Sequence, residues 1–357
     1  MLRYVTAGES HGKALMGILE GIPANLKIDF AFIDAELKRR QSGYGRGARM
    51  QIESDTAEFI AGIRGGVTTG APIGFLIENR DYKNWEGIVG ADAARLNERK
   101  LTAVRPGHAD LAGCIKYAQK DARNILERAS ARSTAATVVI GAIAKQYLSA
   151  LGITVSSEVL SVGGAKTEKE IKKRIDDALA AGDTLGGEIK LAARGLCVGL
   201  GSHTAADKRL EFKLAGHLAA IQSVKSVAFG NVCAYAKAFG SETHDALYYD
   251  KHGKIVRKTN NAGGIEGGIS NGEELVITLV LKPVPSVPKG VPSVDIETKS
   301  PAPSARERGD ACVTEAACAV AEAVLAYALA ESVAETLGGD HMEEAARRME
   351  LKRKSAL

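Results

Sequence analysis

The residues best suited to chemistry in this sequence are arginines and histidines in loop-like, glycine-containing segments. Two histidines, His11 and His108, lie in such segments, and one carboxylate, Asp310, lies two residues from an arginine. The guanidinium fork of arginine binds carboxylates and phosphates bidentately, and a nearby histidine can give a proton to a departing phosphate. These residues predict a pocket for a small, multiply charged anion, and the arginines concerned are Arg40, Arg46, Arg49, Arg105, Arg128, Arg132 and Arg308.

The most arginine-rich of these segments is residues 39–49, which holds four arginines and three glycines. A charge run of this kind is usually a solvated, flexible loop. All four cations are arginine, however, although lysine would serve solubility equally well. We therefore favour an anion-binding loop over a solvated one.

His11 lies in a loop, residues 8–12, between two predicted strands at 2–7 and 15–22. The two glycines of the loop permit turn geometry that other residues avoid, which would expose Ser10 and His11 at a strand end. On this evidence alone, an ordinary hydrogen-bonded loop histidine is the simpler interpretation.

Residues 105–132 carry cationic side chains at both ends of a predicted helix. The turn at 105–110 presents Arg105 and His108, and the far end brings together Arg128, Ser130 and Arg132. Apolar residues recur at helical spacing between the two ends. The pattern predicts that an anionic ligand binds between the ends of this helix.

Two further segments favour contact with a phosphate or a flat ligand. Residues 263–272 hold five glycines, which let a backbone approach a ligand closely. The segment is neither a Walker A loop nor a dinucleotide-binding fingerprint. Prolines in 282–288 predict an ordered, non-helical wall. No histidine or carboxylate spacing typical of a metal site is present, so no metal is expected.

Strands and helices interleave irregularly, with hairpin-like connections, which predicts an α+β fold of antiparallel sheets packed around a helical layer. No linker divides the chain, so a single domain over 1–357 is expected, with 340–357 as a charged C-terminal helical tail. A helix is predicted from Ser133 to Gly152. The most apolar segment, 312–337, contains four glutamates and predicts a core or interface helix rather than a membrane span.

Composition narrows the class of protein. A net charge of +4 and 5% aromatic residues argue against a nucleic-acid-binding protein. The five cysteines form no CxxC pair and fit neither a disulfide framework nor a zinc site, so we expect reduced, mostly buried thiols in a cytoplasmic protein. The N-terminus lacks the charged head and long apolar run of a signal peptide.

Six motifs occur in an order that resembles the chorismate synthase family. They are GESHG (8–12), RRQSGYGRGARM (39–50), RPGHAD (105–110), DARNILERASAR (121–132), the GGIEGGISNG run (263–272) and RGDAC (308–312).

The resemblance implies an anti-1,4-elimination in the shikimate pathway of aromatic amino acid biosynthesis. In this reaction 5-enolpyruvylshikimate 3-phosphate loses phosphate and a ring proton to give chorismate. The family requires reduced FMN although the reaction has no net redox change. Two carboxylates and a phosphate on the substrate, with the phosphate of FMN, would account for the arginines. The resemblance also implies a β-α-β sandwich, a homotetramer and NADPH as a possible reductant. An external flavin reductase is expected because the chain shows no added reductase region.

The resemblance assigns roles by motif. His11 would protonate the departing phosphate, His108 would adjust the protonation of the reduced flavin, and Asp310 would relay the abstracted proton near the flavin N5. Substrate anions would be held by Arg46, Arg49, Arg105 and Arg132, and NADP by Arg40 and Arg46. The flavin would be held by Arg128, Ala129, Ser130, Gln222, Ser223, Gly267, Lys282, Pro283, Val284, Pro285, Ser286 and Arg308.

The alternative is a catalytically silent protein that binds phosphorylated carboxylates through the same arginines. His11, His108 and Asp310 are all present, which argues against this alternative because binding alone does not require them.

Overall fold

A computed structural model of the protein describes residues 2–47, 54–307 and 309–354. Two of the predicted site residues, Arg49 and Arg308, lie outside these ranges. The described chain mixes helices with antiparallel sheets, in agreement with the predicted α+β class.

The strands range from two to nine residues in length. In chain order they are β1 (Arg3–Ala7), β2 (Ala14–Glu20), β3 (Glu58–Ala61), β4 (Ile63–Arg64), β5 (Val67–Thr68), β6 (Ile73–Glu78), β7 (Thr154–Val162), β8 (Gly187–Arg194), β9 (Val224–Phe229), β10 (Leu247–Tyr249), β11 (Ile255–Arg257), β12 (Ile265–Glu266), β13 (Ile269–Ser270), β14 (Leu275–Leu281), β15 (Pro292–Asp295) and β16 (Ser300–Pro303).

The α-helices include two long, apolar ones. In chain order they are α1 (Phe30–Gln41), α2 (Asp110–Lys116), α3 (Arg123–Ala129), α4 (Thr134–Ala150), α5 (Glu168–Ala180), α6 (Leu210–Ala219), α7 (Val232–Tyr235), α8 (Gly240–Thr243), α9 (Thr314–Leu337) and α10 (Met342–Lys354). Short 3₁₀ helices span Arg80–Asn84, Leu96–Arg99, Ala131–Ser133 and Ala206–Lys208.

Two four-stranded antiparallel sheets dominate the β structure. The first has the strand order β1-β2-β6-β3 and the second β7-β8-β14-β9. The predicted N-terminal hairpin is confirmed, since β1 pairs with β2 and places Val5 opposite Ile18. Along β14 the residues alternate between buried and less buried positions, as expected for a strand with one face on the core.

Helices α4 and α9 lie side by side and reach both sheets. Helix α4 packs against β2, and α9 packs against β7 and β8. The two helices approach closely at Gly141, where an added Cβ would lie 2.3 Å from the Cα of Ala323. The absence of a side chain at Gly141 therefore sets the spacing of the helical layer.

Helix α9 is long and apolar enough to cross a membrane by length and composition, but 89% of its most apolar stretch is buried inside the protein. It is a core helix, as predicted for 312–337. The layer also buries an ion-pair network, in which Lys145 Nζ lies 2.5 Å from a carboxylate oxygen of both Glu36 and Glu322. The five cysteines are free thiols, and all but Cys233 are buried.

The single helix predicted within 105–132 is wrong: the structure has two short helices, α2 and α3. Helix α2 ends before Ala118, whose φ of +52° is incompatible with a continuing right-handed helix. Asp121 Oδ1 then accepts hydrogen bonds from the backbone N–H of Leu101 and Arg123, both at 2.8 Å, at the start of α3. The break folds the two helices against each other.

Short helical turns adjoin two of the larger elements. The 3₁₀ turn Ala206–Lys208 precedes α6, and β9 is followed by the short helix α7. In the second case Asn231 ends the strand, because its side chain accepts a hydrogen bond from Ala234 N and starts the helical turn.

Candidate active site

A cavity of about 600 Å³ lies where the two central helices begin. Arg132 and Thr134, at the start of α4, line it together with Val313 and Ala316, at the start of α9. The N-terminal ends of both helices carry partial positive charge and favour anions. The cavity volume falls within the roughly 300–1,000 Å³ typical of small-molecule sites.

Most of the predicted site residues meet in this cavity. Those that line it are His11, His108, Asp310, Arg40, Arg46, Arg105, Arg132, Ala129, Ser130, Gln222, Ser223, Lys282, Val284, Pro285 and Ser286.

Three residues predicted to hold the flavin lie outside the cavity wall. Arg128 is directed to the first sheet, where its Nη2 donates to the carbonyl oxygen of Thr6 at 2.9 Å. Gly267 is exposed in the turn between β12 and β13. Pro283 belongs to the proline segment but does not line the cavity as the structure describes it. Elsewhere in the glycine-rich run, Gly263 lies against the backbone of Gly230, so this part of the run serves packing within the chain.

His11 is held on three sides at the tip of the first hairpin. Its Nδ1 lies 2.9 Å from Glu127 Oε1, and its backbone N–H donates to Glu127 Oε2 at 2.8 Å. Its ring stacks on Trp85, with 3.9 Å between the ring centroids. The neighbouring Ser10 donates to the hydroxyl of Ser130 at 3.1 Å. His11 is therefore a fixed component of the cavity wall rather than an ordinary loop residue.

Arg40 and Arg132 share one buried carboxylate. Arg132 Nη1 lies 2.6 and 2.7 Å from the two oxygens of Asp55, and Arg40 Nη2 lies 3.1 Å from Oδ2. Burial lowers the pKa of Arg40 and Asp55 opposes this effect; with the nearby cations Arg132 and Arg46, which also lower it, the pKa is about 10. Among the described residues, these two guanidinium groups share one carboxylate, so positive charge exceeds negative charge at this part of the wall.

A second buried carboxylate organises the turn that precedes α2. Asp110 Oδ2 accepts from Arg105 Nε at 2.8 Å, and its Oδ1 lies 2.5 Å from His108 Nδ1. Burial acts to raise the pKa of Asp110, but the hydrogen bonds from His108 and Arg105 outweigh it and hold that pKa well below its usual range. Arg105 also donates to Ser286 Oγ at 2.9 Å, which ties the turn to the proline segment.

Arg46 and Asp310 meet across the chain at the cavity. Arg46 Nη1 lies 3.1 Å from Asp310 Oδ2, and the backbone N–H of Gly47 donates to Asp310 Oδ1 at 2.6 Å. A Cβ at Gly47 would lie only 3.0 Å from the carbonyl oxygen of Gly309, so a larger residue would push the two segments apart. This contact brings the arginine-rich segment to the N-terminal end of α9.

The opposite wall combines apolar and cationic groups. Lys282 N donates to the carbonyl oxygen of Ser223 at 2.9 Å, and Ser223 has a φ of +72°, a conformation uncommon outside glycine. The Nζ of Lys282 bonds the carbonyl oxygen of Gly107. Burial lowers the pKa of Lys282, and the neighbouring Lys225 lowers it further. Val284 and Pro285 add an apolar surface beside this cation.

The sequence reasoning missed the acidic partners and the aromatic platform. Asp110 and Glu127 lie inside motifs that were recognised, RPGHAD and DARNILERASAR, so their position was a usable signal. Trp85 is buried against His11, a contact that nothing in its local sequence indicates. Asp55 carried no local signal, since its partner Arg132 is 77 residues away. Within the described chain, no group of three or more histidine, cysteine or acidic residues is arranged to hold a metal ion.

Cationic side chains, two helix N-termini and two histidines that each contact a buried carboxylate surround one cavity. The arginines and helix ends suit a small ligand with several negative charges, and the histidines suit proton transfer to or from it. The fold and the cavity therefore define the class as an α+β protein with an acid–base site for a small anion.

Comparison with known proteins identifies the family within this class. The chorismate synthase family model matches residues 2–334, and the chain belongs to that family. A chorismate synthase of Thermoanaerobacter pseudethanolicus is 50% identical over 343 residues, which cover 96% of each chain. A chorismate synthase of Geobacter sulfurreducens is 45% identical over 384 residues, covering 98% of each. A crystal structure of a chorismate synthase matches 99% of this chain and 98% of its own, with a TM-score of 0.80 and 36% identity.

Proposed function

We propose that this protein catalyses the elimination reaction of the chorismate synthase family. In this reaction 5-enolpyruvylshikimate 3-phosphate loses phosphate and a ring proton in an anti-1,4 sense, giving chorismate. The observation that carries the proposal is the position of His11, which faces the same cavity as Arg46, Arg105 and Arg132. A proton donor beside several guanidinium groups suits the departure of a phosphate from a polyanionic substrate.

The cavity fits reduced FMN as a cofactor. The apolar surface of Val284 and Pro285 suits a flat ring, and Arg40 has a buried Nε without a hydrogen-bond acceptor in the described chain. The chemistry that reduced FMN would supply when bound is the transient loan of an electron to the reacting ring, with no net redox change. Of the residues proposed to hold it, Ala129, Ser130, Gln222, Ser223, Lys282, Val284, Pro285 and Ser286 line the cavity. Arg128, Gly267 and Pro283, which lie outside the cavity wall, and Arg308, outside the described residues, are proposed from the family resemblance alone.

Three side chains of this chain move the protons. We propose that His11 donates a proton to the departing phosphate. His108 adjusts the protonation state of the reduced flavin. Asp310 relays the proton taken from the substrate ring, and its pairing with Arg46 keeps it at the cavity beside Gly47. Substrate anions are held by Arg46, Arg49, Arg105 and Arg132.

Several wider proposals follow from family membership. We propose a single-domain β-α-β sandwich, which agrees with the packing of α4 and α9 between the two large sheets. We also propose a homotetramer in the cytoplasm. Arg40 and Arg46 would contact NADP, and an external flavin reductase would supply reduced FMN.

Anaerobic turnover tests the catalytic proposal. Purified protein is mixed with the substrate and chemically reduced FMN, and phosphate and chorismate are measured over time. The proposal predicts equal amounts of the two products over many turnovers. Tight substrate binding without phosphate release would support the catalytically silent binding protein instead.

The source of electrons is tested in the same buffer with NADPH and oxidised FMN. We expect no turnover until a separate flavin reductase is added. Turnover with NADPH alone would show that the chain reduces its own flavin and would contradict the external reductase.

A further inference from the structure

Glu127 is a buried acidic residue that family resemblance did not assign to the site. We propose that Glu127 is a positioning residue, which fixes His11 as the Nδ1–H tautomer and leaves proton exchange to Nε2. This inference rests on the proposed role of His11 as the proton donor to the substrate.

The contacts of Glu127 define which ring nitrogen carries hydrogen. Its two oxygens lie 2.9 and 3.1 Å from His11 Nδ1. An ionised carboxylate can only accept hydrogen bonds, so Nδ1 must be the donor. In a neutral imidazole the other nitrogen is then unprotonated. A proton given to a ligand in the cavity is therefore the one on Nε2 of the doubly protonated ring, and its departure leaves the neutral Nδ1–H tautomer.

The other neighbours of Glu127 are also hydrogen-bond donors. Arg123 Nη1 lies 3.7 Å from Glu127 Oε1, and the backbone N–H of His11 donates to Oε2 at 2.8 Å. The side chain of Glu127 is only 4% exposed. A guanidinium group and a backbone N–H can only donate, so Glu127 acts as the acceptor of this buried cluster.

The orientation of the His11 ring is fixed as well as its tautomer. Trp85 stacks on His11 with an interplanar angle of 23°, and the guanidinium carbon of Arg99 lies 4.0 Å from the centre of the Trp85 ring. Stacking limits tilting of the imidazole plane, and the bond to Glu127 limits rotation within that plane. Together they hold the His11 ring, which lines the cavity, in one orientation.

A purely structural role for Glu127 would not require the contact with the ring. The loop is already anchored by the backbone, since Ser10 N–H donates to the carbonyl oxygen of Glu127 at 2.9 Å. The carboxylate adds a hydrogen bond to a side chain that lines the cavity. Burial of a charge to orient one imidazole is the arrangement found in hydrolase triads, where loss of the carboxylate yields the wrong tautomer.

The test compares Glu127→Gln with the wild type. Glutamine keeps the size of the side chain but offers one acceptor oxygen to two donors, the backbone N–H and Nδ1–H of His11. Solid-state ¹⁵N NMR of protein labelled in its histidine rings reads the tautomer, and the signals of His11 among seven histidines are those lost in His11→Ala. We expect the neutral His11 ring of the wild type to carry its hydrogen on Nδ1. In Glu127→Gln we expect a larger share of the Nε2–H tautomer.

Glu307→Gln is the matched control. Glu307 lies 2.8 Å from Arg123, so its replacement removes the same charge from the same cation, while its described ion pair does not involve His11. The His11 signals should be unchanged in this variant. In steady-state kinetics, Glu127→Gln should lower kcat by about 100- to 10,000-fold with KM changed less than about threefold.

Each outcome separates the inference from the proposed function. A wild-type His11 in the Nε2–H form, or identical His11 spectra in Glu127→Gln and the wild type, would overturn the positioning role. The wild-type spectrum, assigned with His11→Ala, does not depend on Glu127→Gln, so it decides the question even if Glu127→Gln fails to fold. Full turnover by His11→Ala would instead remove the proposed role of His11 and leave the NMR result on Glu127 standing.

Discussion

Replacement of Asp55 by asparagine tests the electrostatics of the cavity wall. Asp55 is the described counter-ion of both Arg40 and Arg132, with contacts of 2.6 to 3.1 Å, and its side chain is fully buried. Asparagine keeps the shape but removes the charge, so two buried guanidinium groups lose their shared anion. Breaking a buried pair in this way typically costs about 3–5 kcal/mol.

That cost corresponds to a roughly 100- to 5,000-fold smaller ratio of folded to unfolded protein. Urea unfolding followed by circular dichroism measures the change in the free energy of unfolding. Asp183→Asn is the matched control, because Asp183 pairs with Lys289 at the surface, 2.6 Å apart, and exposed pairs contribute about 0–1 kcal/mol.

A second arm adds inorganic phosphate or pyrophosphate to both proteins. An anion bound in the cavity supplies the negative charge that Asp55→Asn lacks, so it should stabilise this variant more than the wild type. Equal stability of Asp55→Asn and Asp183→Asn would refute the reasoning, because Asp55 would then not neutralise a buried excess of positive charge.

Three further predictions concern single residues of the cavity. Arg46→Ala should weaken binding of the substrate by about 1.5–3 kcal/mol, measured by calorimetry, whereas the exposed Arg194→Ala should not; an unaltered Kd would exclude Arg46 from the substrate site. His11→Ala should lower kcat by about 100- to 10,000-fold with little change in the Kd of FMN, and an unchanged rate would remove His11 from the mechanism. Because its partners hold the pKa of Asp110 below the usual range, the stability that Asp110 contributes is complete above about pH 4 and is lost as pH falls further. Asp110→Asn should therefore flatten the acid limb of the stability–pH curve, and superimposable limbs would contradict this.

Elements with a strong local pattern were predictable from the sequence. The strands predicted at 2–7 and 15–22 are the paired strands β1 and β2, and the core helix predicted over 312–337 is α9. The fold of 105–132 was not predictable in the same way. Its apolar spacing suits one helix, but the break depends on Asp121 meeting Leu101, which comes from an earlier segment of the chain.

The cationic side of the cavity was also visible in the sequence, because arginine within glycine-rich motifs is a local signal. The acidic side was visible only in that Asp110 and Glu127 lie inside recognised motifs, and the long-range pairing of the carboxylates was not visible. Glu127 meets His11 across 116 residues and Asp55 meets Arg132 across 77, so these pairs exist only once the helices have packed. The neighbouring residues in the sequence do not distinguish a carboxylate that orients a histidine from one that forms a surface ion pair.

A structure of the protein with substrate and FMN bound tests the central claim most directly. The account predicts the substrate phosphate beside His11 and the arginines of the cavity, with the flavin ring along Val284 and Pro285. A second groove, lined by Lys27, Lys145 and Gln146, lies elsewhere on the protein. Ligands bound in that groove, with the cavity at the starts of α4 and α9 left empty, would contradict the account.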